Sequence, residues 1–299
     1  MSRAFIKKEG IALVSLSRYL LTVKEGERLR TIEDLSDEFS LSVGVVQNSM
    51  KVLESVGSIR LERRGRNGTV LTHRNMPTLL QQADFGNLVC AMPLPYTRLY
   101  EGLASGLKKQ FTQLPLYFAH MRGAGMRIGC LIEGMYDMAV ASRLAADSYL
   151  LRGEVLEVFN LGAHSYVDCH QLICRQGEYN DIQRVGFDAN SPDQRLLNEI
   201  AFAGHEVEWI ETPYNDCLHD IEHGVIDAAI WDIDDLNPVK GLETHRLEDD
   251  PRYHQATEAV ILVRSDNVVL LRLLNMLVDV NRLLAHQQSV VQGDIAPRY

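Results

Sequence analysis

The chain has 299 residues and a formal net charge of −10, with 46% hydrophobic and 23% charged residues. This length exceeds what one hydrophobic core usually organises, and the composition is typical of a globular protein rather than a disordered one. No uncharged apolar run of about 20 residues is present, and the start MSRAFIKKEGIAL lacks the apolar run of a signal peptide. The sequence therefore predicts two or more domains, no membrane association and a cytoplasmic location.

Charge is distributed unevenly along the chain. Residues 1–75 carry 13 Lys and Arg against 9 Asp and Glu, a net charge of +4, which leaves −14 for the remainder. A basic segment joined to an acidic body indicates a polyanion-binding module fused to a domain of another kind.

The five cysteines give little reason to expect a disulfide framework or a zinc knuckle, because none belongs to a CxxC pair. Reduced and mostly buried thiols are predicted. His219 and His223 stand four residues apart in a predicted helix, which is a spacing that a metal could use. The interpretation without a metal is favoured, and we expect neither a metal site nor a cofactor.

Three helices and a hairpin are predicted in the basic segment. Apolar residues at helical spacing predict a first helix over Gly10–Leu21, Thr31 can cap a short second helix, and Ser42 can cap a third. Two strands follow, Ile59–Glu62 and Thr69–Leu71, joined by a loop that carries RRGRNG. This order predicts a winged helix, whose third helix enters the major groove while the hairpin lies along the backbone or minor groove.

The run GERLRTIEDLSDEFSLSVGVVQNSMKVLESVGSIRLERRGRNGTVL resembles the winged helix-turn-helix of GntR-type bacterial transcription regulators. The resemblance implies contact with double-stranded DNA through the third helix and the wing. The residues expected to face DNA are Ser42, Val43, Val45, Gln47, Asn48, Arg63, Arg64, Arg66 and Asn67. The family usually places arginine or threonine after the capping serine, where this chain has Val43, so Gln47 and Asn48 are the polar side chains left to read bases. A winged helix used only for protein contacts is the alternative.

Beyond residue 82, short apolar runs alternate with helix-like segments, which predicts largely parallel sheets. The predicted strands are NLVCAM, PLYFAH, DMAVAS, RVGFDA, VEWIET and AAIWDI, with EAVILVR returning to the first lobe and one long helix, Asn267–His286, beside it. The predicted domains are a winged helix at 1–75, a linker at 76–82 and a two-lobed domain at 83–299, with lobe 1 at 83–147 and 255–299 and lobe 2 at 148–254.

That layout resembles the type 2 periplasmic-binding-protein fold, serving here as an effector domain. Together, the winged head, MPLPYTRLYEGLASGL and HMRGAGMRIGCLIEGMYDMAVASR resemble YhfZ-type bacterial transcription regulators over nearly the whole chain. The fold class implied is α/β, with an N-terminal winged helix domain followed by a two-lobed domain similar to type 2 periplasmic-binding proteins. The resemblance supplies no ligand.

Small molecules bind beyond the carboxyl ends of parallel strands, where helix N-termini offer unpaired amides. The expected ligand-binding residues are Tyr96, Thr97, Arg98, Arg122, Gly123, Ala124, Ser142, Arg143, Asp188, Ser191, Trp231 and Asp232. Arginines at three strand ends indicate a small anionic or zwitterionic metabolite. Each arginine alone could be a surface residue, Trp231 could fill the core between the lobes, and the acidic run with Asp234 and Asp235 could be a solvated turn instead of an amine or metal contact.

Signatures of catalysis are weak. GAGMRIG has GxGxxxG spacing instead of that of a dinucleotide loop, and neither G-x-S-x-G nor a Walker A sequence occurs. The sequence favours a ligand-responsive transcription regulator over an enzyme or a scaffold that does not sense a ligand. A homodimer is expected because winged helices usually read two half-sites.

Overall fold

A computed structural model of the chain describes residues 7–112, 114–232, 240–247 and 250–299. The chain divides into two compact units. The head unit comprises Met1–Leu88, Phe111–Leu116 and Asn267–Leu277, and the body unit comprises Val89–Gln110, Tyr117–Asp266 and Val278–Tyr299. Within the described ranges, no helix has both the length and the apolar character needed to span a membrane.

Helices and strands alternate through most of the chain. The helices are α1 (Lys8–Leu21), α2 (Ile32–Phe39), α3 (Val43–Ser55), α4 (Met76–Gln82), α5 (Arg98–Gln110), α6 (Ala124–Ile132), α7 (Arg143–Leu151), α8 (Pro192–Ala201), α9 (Cys217–Glu222), α10 (Pro251–Thr257), α11 (Val268–Leu277) and α12 (Val280–Val291). The strands are β1 (Ile59–Arg63), β2 (Thr69–Arg74), β3 (Leu88–Met92), β4 (Leu116–His120), β5 (Met138–Ser142), β6 (Val155–Asn160), β7 (His170–Arg175), β8 (Arg184–Phe187), β9 (Glu208–Glu211), β10 (Ala228–Asp232), β11 (Leu242–Arg246) and β12 (Ala259–Arg264).

The head unit has the predicted order of three helices and a hairpin. The hydroxyl of Thr31 accepts from the backbone N–H of Asp34 at 3.1 Å and the Asp34 carboxylate accepts from the N–H of Thr31 at 3.2 Å, which confirms the predicted cap of α2. Ser42 holds the predicted N-cap position of α3, but its side chain forms no capping hydrogen bond. Water can solvate the first amides of α3 because this turn is exposed.

Residues 76–82, predicted to be a linker, form α4 and pack against α1. Leu79 and Leu80 are buried, so this segment belongs to the head core. Pro77 lies in the first turn of α4, where the amide that proline lacks would have no helical partner, so this proline is compatible with the start of the helix.

The body unit contains two five-stranded sheets, with strand orders β4-β3-β5-β12-β6 and β11-β7-β10-β8-β9. The expectation of largely parallel sheets is wrong, because β12 runs antiparallel to β5 and β6, and β7 runs antiparallel to β10 and β11. These antiparallel pairs arise where the chain passes from one sheet to the other and back. The first sheet also includes β6, which lies beyond the predicted 83–147 segment of lobe 1.

Two further differences concern helices. The predicted single helix Asn267–His286 is two helices, and the Asp279 side chain accepts from the N–H of Arg282 to cap the second one, α12. Helices α7 and α10 were not predicted from the sequence, although both lie in the body unit and pack against each other.

One buried carboxylate ties three strands of the second sheet together. The side chain of Asp227 accepts from Nη2 of Arg175 at 2.8 Å and from Nη2 of Arg184 at 2.7 Å. Burial raises the pKa of Asp227, but the hydrogen bonds from Arg184, Arg175 and backbone amides outweigh it, so the pKa lies well below its ordinary value. A carboxyl group with a lowered pKa stabilises the folded protein above its unfolded pKa, and the stabilisation is lost as the pH falls.

We expect Asp227→Asn to lower the free energy of unfolding by about 2 kcal/mol at pH 7, because Arg184 loses its carboxylate partner and Arg175 keeps only Glu178 among the described carboxylates. Urea denaturation at pH 7 and pH 3 measures the loss, which should shrink at the lower pH. The control is Glu199→Gln, which breaks the exposed Arg195–Glu199 pair and should cost less than about 0.5 kcal/mol. Equal losses in the two variants would contradict this role of Asp227.

Candidate functional site

The body unit contains a cleft of about 930 Å³ beyond the carboxyl ends of β3, β4, β8 and β10. Of the expected ligand-binding residues, those that line it are Tyr96, Thr97, Arg122, Gly123, Ala124, Asp188, Ser191, Trp231 and Asp232. Those that do not are Arg98, Ser142 and Arg143. The expectation that a ligand site lies beyond the carboxyl ends of the strands therefore located most of the residues that line the cleft. Asp234 and Asp235 lie outside the described residues.

Two loops approach each other closely across the cleft. Gly123, the N-cap of α6, has a φ of 79°, and a Cβ on it would lie 2.5 Å from the backbone oxygen of Asn190 in the β8–α8 loop. Only glycine fits this backbone and this separation. The side-chain amide of Asn215 also donates to the hydroxyl of Tyr96 at 3.0 Å. The loops that follow strands of the two sheets are thus in contact, and the first turn of α6 borders the cleft.

A buried guanidinium, that of Arg127, lines the cleft next to Arg122. Arg127 is 3% exposed and donates from Nε to the Val140 oxygen at 2.8 Å, from Nη1 to the Met121 oxygen at 2.9 Å and from Nη2 to the Tyr166 hydroxyl at 2.7 Å. These acceptors are neutral, and no carboxylate among the described residues forms an ion pair with Arg127. Two of its five N–H groups remain for another acceptor.

Arg127 was not predicted, although the sequence carried a signal for it. It falls on the same face of α6 as the buried residues Ala124, Ile128 and Leu131. An arginine within an apolar helical stripe is costly to bury, so it indicates a partner inside the protein.

Aromatic rings line the cleft as well. The rings of Tyr214 and Trp231 stack with centroids 4.1 Å apart at 11°, and those of Tyr100 and Tyr166 lie 5.1 Å apart at 59°. Burial, followed by nearby charged and tyrosyl groups, raises the pKa values of Tyr100 and Tyr214 well above the ordinary value. Asp232 contributes to both shifts, which places its carboxylate in the electrostatic range of these rings. Neutral tyrosines and a carboxylate therefore share this part of the cleft.

Asp193, also missed by the sequence analysis, is a buried carboxylate in the cleft. The hydroxyl of Ser142 donates to it at 2.6 Å. Burial raises the pKa of Asp193 to about 6, and the Ser142 hydrogen bond and the charge of Arg127 offset part of this effect.

The predicted ligand contacts of Ser142 and Arg143 are therefore corrected. Ser142 is fully buried and also accepts from the N–H of Ala145 to cap α7, and Arg143 forms ion pairs with Asp147 at 2.9 Å and Glu157 at 3.4 Å. The backbone N–H of Arg143 donates to the oxygen of Glu258 just before β12. The end of β5 is thus covered by the strand that returns beside it. Arg98, the first residue of α5, likewise does not line the cleft.

A third missed residue, His170, has a buried Nδ1 atom without a hydrogen-bond partner among the described residues. The side chain lines the cleft, and burial lowers its pKa to about 4, so the imidazole is neutral at physiological pH. A buried polar atom without a partner is costly, which makes this nitrogen available to a bound molecule or water.

Asp188 and Ser191 line the cleft but already have structural partners. The Asp188 carboxylate accepts from the N–H groups of Asn190 at 2.8 Å and Tyr214 at 3.0 Å, and Ser191 caps α8. These two side chains shape the loop, whereas Arg122, which forms no ion pair in the described ranges, is available to a ligand.

A second pocket, of about 300 Å³, lies in the head unit between α3 and the hairpin. Its lining includes the charged or amide side chains of Arg28, Arg30, Gln47, Lys51 and Arg63. Gln47 and Arg63 were predicted to face DNA, while the other three cations were missed because they come from the segment before α2 and from the second half of α3.

The other predicted DNA contacts are mostly exposed. Ser42, Val43, Gln47 and Asn48 are exposed on α3, Val45 is half-buried, and Arg63, Arg64, Arg66 and Asn67 are exposed at the tip. Two wing cations have acidic neighbours: Arg63 pairs with Glu54 at 2.6 Å and Arg64 pairs with Glu62 at 2.7 Å. The wing therefore offers guanidinium groups that are held in place but accessible.

Comparison with known proteins gives two family matches. The family described as the YhfZ C-terminal domain matches residues 75–299, and a helix-turn-helix domain family matches residues 24–71. YhfZ from Escherichia coli (strain K12) is 52% identical over 301 residues, covering 100% of both chains. The crystal structure of YhfZ from Shigella flexneri has 51% identity and a TM-score of 0.68, covering 75% of this chain and 97% of that one.

A more distant structural likeness concerns the body unit's fold. The alkanesulfonate-binding protein SsuA from Xanthomonas axonopodis pv. citri, bound to MOPS, has 14% identity and a TM-score of 0.50, covering 71% of this chain and 81% of that one. The chain is thus a helix-turn-helix protein with an α/β domain of the periplasmic-binding-protein type. It belongs to the YhfZ family.

We expect Asp193→Asn to change how stability depends on pH. The raised pKa means that the folded state holds a proton on Asp193 between pH 4 and 6 while the unfolded chain releases it, so this group makes the folded state less stable as the pH rises. Between pH 4 and pH 7, the free energy of unfolding of the variant should therefore rise by about 3 kcal/mol relative to that of the wild type. Urea denaturation across this range provides the measurement.

A matched control is Glu206→Gln, which removes an exposed carboxyl group from the loop before β9. Its stability relative to the wild type should change little over this range. Parallel pH profiles for Asp193→Asn and the wild type would show that Asp193 is not the titrating group.

Proposed function

We propose that the protein is a DNA-binding transcriptional regulator whose cleft binds a small zwitterionic metabolite. The observation that carries the proposal is the presence in one chain of a helix-turn-helix head and a charged cleft in a domain of the periplasmic-binding-protein type. A regulator of this kind acts without catalysis and in the cytoplasm.

The cation distribution of the head supports DNA binding. Lys51 follows Gln47 by one turn on the exposed face of α3, and Arg28 and Arg63 line the same pocket. Such a row can contact successive phosphates, while Gln47 and Asn48 face the bases. Val43 can contact a thymine methyl group, and Ser42 can donate its exposed hydroxyl to a phosphate.

The charges of the cleft support a ligand that carries both signs. Arg122, Arg127 and the uncapped first turn of α6 favour a carboxylate or phosphate. Asp193 and Asp232 lie in the same cleft with the aromatic rings, where a simple anion would be repelled. An ammonium group is attracted both by carboxylates and by ring faces. A zwitterion satisfies both halves of the cleft, whereas an anion satisfies only one.

Binding is proposed to act through the contacts between the loops that border the cleft. A ligand that bridges Arg122 with Asp193 holds together walls that come from different sheets. Two heads of a homodimer, of the GntR-like winged type, would then read two half-sites whose spacing depends on occupancy. Such coupling requires the ligand to bind the state that is competent for DNA with a different affinity from the other state. Because the coupling is reciprocal, DNA changes the affinity for the ligand by the same factor.

We expect the double variant Arg63→Ala, Arg64→Ala to weaken binding to duplex DNA broadly across sequences and to reduce the slope of log K against log salt by about 2. Lys51→Ala should reduce the slope by about 1. Fluorescence anisotropy at several salt concentrations, with fragments from the promoter region of the protein's own gene, measures both. Arg195→Ala, an exposed arginine of α8, is the control and should leave the slope unchanged. Failure of the wild type to bind any duplex at low salt would refute the DNA proposal.

We expect zwitterionic metabolites to raise the melting temperature of the full chain, because a ligand of the native state stabilises it by mass action. A panel of amino acids is compared with their N-acetyl and carboxamide derivatives, each of which lacks one charge. Arg122→Ala should weaken binding about 10- to 100-fold by removing a charge-assisted hydrogen bond. Arg98→Ala, an arginine nearby that does not line the cleft, should bind as the wild type does. Equal binding of the N-acetyl derivatives would exclude an ammonium contact, and flat melting curves throughout would favour a head that acts without sensing.

A further inference from the structure

Three side chains capable of binding a metal converge on the second sheet of the body unit. Cys174 of β7 and Glu243 of β11 are direct partners across the antiparallel pair, and His245 follows two residues later on the same face. One ligand atom from each lies within 4.8 Å of the others. Within the described ranges, these side chains form the one group of three or more potential ligands whose atoms lie this close to one another.

The distances agree with the geometry of a tetrahedral ion. The Sγ atom of Cys174 lies 3.7 Å from Oε1 of Glu243, and Nε2 of His245 lies 3.0 Å from the same oxygen. Ligand atoms bound to one tetrahedral zinc ion at ordinary bond lengths are roughly 3.4 to 3.6 Å apart. Shifts of a few tenths of an ångström therefore suffice for the two measured pairs.

The surroundings orient the ligands and leave a path for the ion. The ring of Tyr179 stacks on that of His245 with centroids 4.0 Å apart at 26°. The side chains of His245 and Glu243 are 34% and 29% exposed, so an ion can reach the group from solvent. Such supporting contacts fix ligand orientation in metal sites.

We propose that Cys174, Glu243 and His245 form a binding site for one zinc-like divalent transition metal ion, with a fourth position open to water or a ligand. The thiolate, imidazole and carboxylate set matches the preferences of zinc(II), and Cys174 loses its proton when the ion binds. The pair His219 and His223 offers no such group, since their rings stack at 4.0 Å and Nδ1 of His223 hydrogen-bonds the backbone oxygen of His219. The site does not depend on the proposed function, although Glu243 also lines the cleft.

The test measures metal content directly. The full chain is stripped with a chelator and dialysed against zinc(II), and bound metal is quantified by mass spectrometry. The wild type is expected to retain one equivalent, and Cys174→Ser and His245→Asn are expected to bind at least about 100-fold more weakly, since even outer-shell changes at metal sites cost 10- to 100-fold. Cys130→Ser, which alters a thiol on α6, and His219→Asn are the controls and should retain the ion.

Cobalt(II) identifies the ligand atoms independently of affinity. The wild type should show a sulfur-to-cobalt charge-transfer band that Cys174→Ser lacks and His245→Asn shifts or weakens. Because His245 is partly exposed, the His245→Asn variant should fold, and it therefore tests the site even if the variant at the buried Cys174 unfolds. Absence of stoichiometric zinc in the wild type would overturn the proposal, and so would zinc uptake that both variants leave undiminished.

Discussion

The burial of the Arg127 charge is the constraint on which the cleft depends. Removing an ion from water costs several kcal/mol, and the neutral acceptors around Arg127 do not cancel its charge. Those acceptors are nevertheless well placed: the oxygens of Met121 and Val140 come from the β4–α6 loop and from β5, and the Tyr166 hydroxyl comes from the segment before β7. One side chain thereby fixes three parts of the cleft wall. A cation held this way retains most of its capacity to attract an anion.

Asp193 complements this arrangement from the other sheet. Its pKa is raised by burial and lowered in part by Arg127, so each buried charge reduces the cost of the other without direct contact. The Ser142–Asp193 hydrogen bond joins the end of β5 to the start of α8, and thus links the two lobes beside the cleft. An incoming ammonium group would favour the ionised form of Asp193. In the proposed complex, the charge of the ligand and the contact between the lobes would therefore act on the same carboxylate.

Much of this architecture could be predicted from local patterns, and the failures have physical causes. The cap of helix α2 was predictable because a capping box involves residues that are adjacent in sequence. The place of Gly123 in the cleft lining was predictable because it directly follows a predicted strand. Ser142 and Arg143 were misplaced because β12, more than a hundred residues later, covers the end of β5. Asp193 and His170 were missed because their significance depends on burial, which three-dimensional packing creates, whereas Arg127 could have been found from its place in the apolar stripe of α6. The group around Cys174 depends on the register of β7 and β11, which a sequence without partner strands does not specify.

The head shows why its net charge is a poor guide to how it would read DNA. The first turn of α3 carries Val43 and Gly44 and no cation, while the cations come from Lys51, the segment before α2 and the wing. In the proposed complex with DNA, most of the binding free energy would then come from contacts with phosphates, which carry no sequence information directly. Specificity has to come from few base contacts, from DNA shape or from the spacing of two heads. In the proposed regulator, the net charge of −14 beyond residue 75 would disfavour nonspecific association with DNA, because DNA is itself a polyanion.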